Sequence, residues 1–82
     1  MTTVKDFFEM IKLMTDVNID VDIYPNAQNQ KEFKTLAYNY DGERRFFPEV
    51  LDEYGARKIA YIEFCFEDDY NTACYNLTLT PD

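Results

Sequence analysis

"DVNIDVDIY", residues 16–24, puts Asp16, Asn18, Asp20 and Asp22 at every second position, with Val17, Ile19, Val21 and Ile23 between them. Strict alternation is the signature of a strand with one wet and one dry face. The polar set also resembles the start of a calcium loop, so the two readings compete. As an EF-hand, Asp16, Asn18 and Asp20 would fill ligand positions one, three and five. Position six is then Val21 where glycine is needed, and position twelve is Ala27 where a bidentate Glu belongs. The calcium reading fails at both. The stretch is a half-buried strand whose odd residues enter a core, with Asp20 and Asp22 about 6.7 Å apart on the other face, twice the rise per residue.

Outward from this strand the remaining elements follow. Upstream, Val4, Phe7, Phe8, Ile11 and Met14 recur at helical spacing opposite Lys5, Asp6, Glu9 and Lys12, which predicts an amphipathic helix capped by Thr2 or Thr3. Downstream, Pro25 ends the strand, and "PNAQNQK" leads to a second strand near "EFKTLAYNY". Asp41-Gly42 between "LAYNY" and "ERRFF" is a two-residue hairpin signal that places Tyr40 opposite Glu43 and Tyr38 opposite Arg45. "PEVLDEYG" predicts a short helix with Pro48 in its first position and Gly55 at its stop. "RKIAYIEFCF" and "TACYNLTLT", either side of "EDDYN", form a second hairpin.

That hairpin can be placed in register. If Ala60, Ile62, Phe64 and Phe66 share a core face with Ala73, Tyr75, Leu77 and Leu79, and Asp69 and Tyr70 lie in the loop, then Phe66 opposes Ala73 and Phe64 opposes Tyr75. Cys65 then opposes Cys74 on the outer face. The expected fold class is α+β in a single domain over residues 1–82. It has an antiparallel sheet of four to five strands, the N-terminal helix on one face and a short second helix, in the order α-β-β-β-α-β-β.

Composition narrows the chemistry. Sixteen acids against eight bases give a net charge of −8, so direct binding to nucleic acid or to an anionic membrane is disfavoured. No apolar run reaches the roughly 18 residues of a membrane span, and the charged N-terminal stretch is unlike a signal peptide. The expected location is the cytoplasm, where the two cysteines are reduced thiols. There is no histidine or serine, which removes Ser-His-Asp and Cys-His nucleophiles. With Gly42 and Gly55 the only glycines, no glycine-rich phosphate loop can be written. Paired carboxylates remain, but acid-base work needs a pocket that raises one pKa, and a domain this small rarely has one. No enzymatic activity and no cofactor are expected.

The residues left for function are acids and tyrosines. Asp20, Asp22 and Tyr24 on the first strand, Glu63 and Glu67 on a later one, and Asp68, Asp69 and Tyr70 at its turn are the candidate partner-binding set. They would present a negative, ring-bearing surface to a basic groove. Glu43, Glu49, Asp52 and Glu53 form a second acidic group, while Arg44, Arg45, Arg57 and Lys58 break the field locally.

In size, acidity and element order the chain resembles small phage-encoded inhibitors of bacterial defence, especially compact anti-CRISPR proteins that block the DNA-binding grooves of Cas nucleases. "TVKDFFEMIKLMTDVNIDVDIY" followed by "YDGERRFFPEVLDEYGARKIAYIEF" is also similar to short prophage proteins that open with a helix, run into a strand and carry a late "PEVL" helix. The resemblance implies a DNA-mimic-like inhibitor that occupies a basic nucleic-acid-binding protein such as a Cas effector. It assigns no role to any single residue. Two other readings stand beside it: a self-associating protein or homodimer that pairs through sheet edges in "RKIAYIEFCF" or "TACYNLTLT", and a carboxylate-based metal-binding protein.

Overall fold

A computed structural model describes residues 2–40 and 42–81. The elements are α1 (Val4–Ile11), β1 (Asn18–Tyr24), β2 (Lys34–Tyr40), β3 (Glu43–Phe46), α2 (Pro48–Tyr54), β4 (Ile59–Glu67) and β5 (Thr72–Leu79), with one 3₁₀ turn at Asp68–Tyr70 before β5. This is the expected α+β order. α1 starts on a reciprocal cap. Thr3 Oγ1 accepts from the Asp6 N–H at 3.2 Å, and Asp6 Oδ2 accepts from the Thr3 N–H at 3.0 Å, so two orphan donors of the first turn are satisfied.

The five strands lie in the order β3-β2-β1-β5-β4. Three neighbouring pairs are antiparallel, but β1 and β5 run parallel, Asn18 pairing with Thr72 and Tyr24 with Thr78. The sheet is therefore mixed, not wholly antiparallel as expected. The periodicity of β1 and β5 describes each strand's faces but carries no signal for the direction in which distant segments meet. The central strand β1 and its neighbour β5 are deeply buried on the helix side: Ile19, Val21, Ile23, Leu77 and Leu79 have almost no exposed surface.

The β4–β5 hairpin has the register deduced from its alternation, with Phe66 opposite Ala73, Phe64 opposite Tyr75 and Cys65 opposite Cys74. The β2–β3 hairpin likewise pairs Tyr38 with Arg45 and Tyr40 with Glu43. Asp41 of its turn lies outside the described residues, while Gly42 has φ +80°, a conformation open to glycine at no steric cost. A bulge between Val21 and Asp22 shifts the β1–β2 register, and both Leu36 and Ala37 are buried on β2.

α1 and α2 lie side by side on one face of the sheet. Phe7 of α1 meets Tyr75 of β5 edge-on, and Phe8 meets Phe46 of β3, each at a centroid distance of 5.1 Å. Val4, Phe7, Phe8 and Ile11 are buried with Val50 of α2 in one core. Met14 and Val17, beyond the last turn of α1, pack against that core only in part. Arg44 closes the corner: its guanidinium donates to the Ile11 carbonyl at 3.1 Å and to the Val17 carbonyl at 2.7 Å, which ties the end of α1 to the entry of β1.

One core expectation is overturned. Ile62, Phe64 and Phe66 do stand on the helix side of β4, but they are exposed. Ala60 is exposed too, and a bulge between Ile59 and Tyr61 leaves it without a partner on β5, so Ile59 in its place faces Leu79 and enters the core. The helical layer ends over β5, and β4 lies one strand further out. α1 has only eight residues, about 12 Å of helix at 1.5 Å per residue, too little to roof five strands spaced about 4.8 Å apart.

Candidate binding face

The other face of the sheet carries no helix. Its alternate residues form rows across β1, β5 and β4 in register: Asn18, Thr72 and Glu67; Asp20, Cys74 and Cys65; Asp22, Asn76 and Glu63; Tyr24, Thr78 and Tyr61. Four carboxylates thus lie on two strands separated by one, with no Lys or Arg in these rows. β2 extends two rows, placing Tyr38 beside Asp20 and Thr35 beside Asp22.

Asp20, Asp22, Glu67 and Tyr70 come together around an open depression of about 530 Å³, whose rim also includes Phe33 and Tyr38. Glu63 lies two strands across from Asp22. Tyr24 lies at the far end of the face, its ring 5.8 Å from that of Phe33. Asp68 and Asp69 share a separate, smaller depression with Glu67 and Tyr70 at the turn. The predicted set therefore divides into a central group on the face and a turn group beside it.

The central group is electrostatically coupled. Asp20 is half-buried, and its pKa is raised above the usual 3.8, first by burial and then by the charge of Glu67. Asp22 is also raised by burial, against which Thr35 Oγ1 donates to its Oδ1 at 3.0 Å; Asp20 then adds repulsion. The Tyr24 hydroxyl is pushed up by burial and by Asp22, Glu63 and Asp20. The Cys74 thiol rises to about 11 through burial followed by Glu67 and Asp20, and its Sγ–H points to Glu67 Oε1 at 3.6 Å. Cys65 and Cys74, though cross-strand neighbours, are free thiols. The charge of Glu67 bears on Asp20 and that of Asp20 on Asp22, a repulsion that an incoming cation relieves.

Thr35, Tyr38 and Phe33 line this face without having been foreseen there, whereas Cys74 was expected on it opposite Cys65. The bulge between Val21 and Asp22 decides which β2 residues flank the acids, and alternation alone does not reveal it. Asn39 adds a further tie, its Oδ1 accepting from the Ile19 N–H at 2.7 Å. Two of the bases expected to interrupt the acidic field are occupied with backbone instead. Arg44 holds the α1 corner, and Arg57 donates to the carbonyls of Pro25 and Thr80 at the opposite end of β1 and β5.

Among the described residues no group of three or more Cys, Asp or Glu side chains converges to share a metal ion, and no helix is long and apolar enough to cross a membrane. Comparison with protein-family models, curated proteins and solved structures returned no match to the chain.

Proposed function

We propose that this chain is a non-enzymatic cytoplasmic binding protein whose helix-free sheet face docks on a basic, nucleic-acid-binding surface of another protein. The observation that carries the reading is the placement of Asp20, Asp22, Glu63 and Glu67 on one helix-free face, in rows that hold no Lys or Arg across β1, β5 and β4, Arg45 entering the Asp20 row only beyond Tyr38, on β3. The carboxylates are held on paired strands, Asp20 and Asp22 with backbone on both sides and Glu63 and Glu67 with β5 on one, so the field they make is ordered before a partner arrives. Tyr24, Tyr61, Tyr38 and Tyr70 stand around them, offering ring surface that loses little entropy on contact. The resemblance to phage-encoded inhibitors of bacterial defence supports the same kind of partner, such as a Cas effector, with the face acting as a stand-in for nucleic acid.

The test is capture on immobilised chain from a bacterial lysate containing CRISPR effector complexes, with duplex DNA as competitor. The expected result is retention of a nucleic-acid-binding protein that added DNA or salt releases. The triple variant Asp20→Asn, Glu63→Gln, Glu67→Gln should lose that retention while keeping its fold. Retention that DNA does not displace, or that the neutralised variant keeps, would overturn the proposal.

A further inference from the structure

β4 ends the sheet, and its outer edge is only partly covered. The N-terminal segment closes its beginning: the Ile59 N–H donates to the Thr2 carbonyl at 2.9 Å, the Val4 N–H donates to the Arg57 carbonyl at 3.0 Å, and Thr3 bridges Lys58. From Tyr61 to Glu67 no described strand pairs along that edge. The segment contains no Pro, Lys or Arg, three of the usual guards of an exposed edge. On its helix side Ile62, Phe64 and Phe66 are 44%, 59% and 43% exposed, beyond the reach of α1. An open edge and an uncovered apolar stripe on the same seven residues call for the same occupant.

We infer that this edge pairs with a second copy of the chain, β4 against β4 in antiparallel fashion about a two-fold axis through Phe64. Two features select this register. Directly opposed residues of an antiparallel pair face the same side, so a two-fold pair of identical strands must place some residue opposite its own copy. Phe64 is the midpoint of the open window, and centring there uses all of Tyr61–Glu67, with Ile62 opposite Phe66 of the second copy. Centring on Glu63 would set the two Glu63 carboxylates directly opposite, and centring on Cys65 would oppose Glu63 and Glu67. Centred on Phe64, Glu63 opposes Cys65 and Tyr61 opposes Glu67, and the nearest carboxylates stand diagonal at about 7–8 Å.

The area is sufficient for a modest dimer. At about 150–250 Å² per aromatic side chain, the exposed parts of Tyr61, Phe64 and Phe66 together with Ile62 supply on the order of 350 Å² per copy. Doubled, and with the edge backbone, Glu63, Cys65 and Glu67 added, this approaches the roughly 1,200 Å² at the lower end of specific interfaces. The axis is normal to the sheet, so both helical layers fall on one side, and Ile62, Phe64 and Phe66 of the two copies fill the gap between them. The acidic faces fall on the other side as one continuous surface. The pairing stands on edge and stripe alone and does not depend on the basic-partner reading.

Sedimentation equilibrium at micromolar and higher concentrations tests it. The wild-type chain should show twice the 9.8 kDa monomer mass, and Phe64→Lys should return the monomer with an unchanged circular dichroism spectrum. Should Phe64→Lys fail to fold, Phe64→Thr, which keeps strand propensity, serves the same comparison. With Cys65→Ala and Cys74→Ala in place, Phe64→Cys should cross-link to its own copy under mild oxidation. A wild-type monomer at every concentration, a mass that climbs without limit, or a dimer that withstands the loss of Phe64 would overturn the inference.

Discussion

Phe64 and Tyr75 oppose each other across β4 and β5 with ring centroids 5.1 Å apart, and Tyr75 holds Phe7 of α1 at the same distance. Tyr75 is thus where the roofed part of the sheet ends: Phe7 on one side is 2% exposed, Phe64 on the other 59%. Removing either ring should therefore give very different costs. Phe7→Ala should destabilise the fold by about 3–5 kcal/mol, as expected for a buried ring. Phe64→Ala should cost the isolated chain less than about 1 kcal/mol. Urea midpoints of the two variants, measured at a dilution where the chain is monomeric, give the comparison.

Arg44 links the end of α1 to the start of β1 by donating to the Ile11 and Val17 carbonyls. Arg44→Ala leaves both carbonyls without that donor and should cost about 2–3 kcal/mol, the range for losing charge-assisted hydrogen bonds at a partly buried site. Arg44→Lys should recover only part, because one ammonium lacks the planar fork that spans two carbonyls. Thermal unfolding of the three proteins should rank wild type above Lys above Ala.

The raised pKa of Asp20 has a definite consequence for stability. A carboxyl whose folded pKa lies above its unfolded value binds more protons when folded, so its contribution becomes more favourable as pH falls through the folded value toward 3.8. Above its folded value the charged, half-buried Asp20, repelled by Glu67, works against folding. Asp20→Asn should accordingly raise the urea midpoint at pH 7, and its advantage over wild type should shrink as the pH is lowered toward 3.8. An Asp20→Asn midpoint equal to or below wild type at pH 7 would contradict this.

Asp6 has the opposite sign. Its pKa is lowered, first by the Thr3 backbone hydrogen bond and then by the Thr3 hydroxyl. Its help to the cap is present above the usual value of 3.8 and is lost as pH falls through the lower folded value. Thr3→Ala, which removes the hydroxyl half of the cap, should cost about 1 kcal/mol at neutral pH. Asp6→Asn should flatten the acid limb of the stability curve.

The Cys74 thiol, raised from 9.0 to about 11, should alkylate slowly. Two pKa units leave roughly a hundredfold less thiolate at mildly alkaline pH. In a Cys65→Ala background the iodoacetamide rate at Cys74 should be lower than that of a free thiol by about that factor. Glu67→Gln should restore only part of the rate, since burial is the larger cause of the shift.

Much of this fold was legible in residue spacing. Period two in Val17–Ile23 fixed which β1 residues enter the core, and the "EDDYN" turn fixed the Phe64–Tyr75 and Cys65–Cys74 pairs, because a one-residue slip would have turned every apolar side chain outward. The acids on β1 and β4 were placed on one face by the same logic. The flanking residues on β2 were not, since the bulge between Val21 and Asp22 changes the register without a mark in the sequence. Arg44 and Arg57 read as surface charge until the carbonyls they hold were in place.

Local periodicity and turn chemistry act over a few residues, so the sequence by itself determined the elements, their faces and the registers next to each hairpin turn, while the bulge between Ile59 and Tyr61 at the far end of β4 was not legible in it. The order of strands depends on how every element packs at once, and only the tertiary structure set β5 parallel to β1 and sent β4 to the edge. That placement left Ile62, Phe64 and Phe66, apolar by pattern and core by expectation, outside a helix too short to cover them.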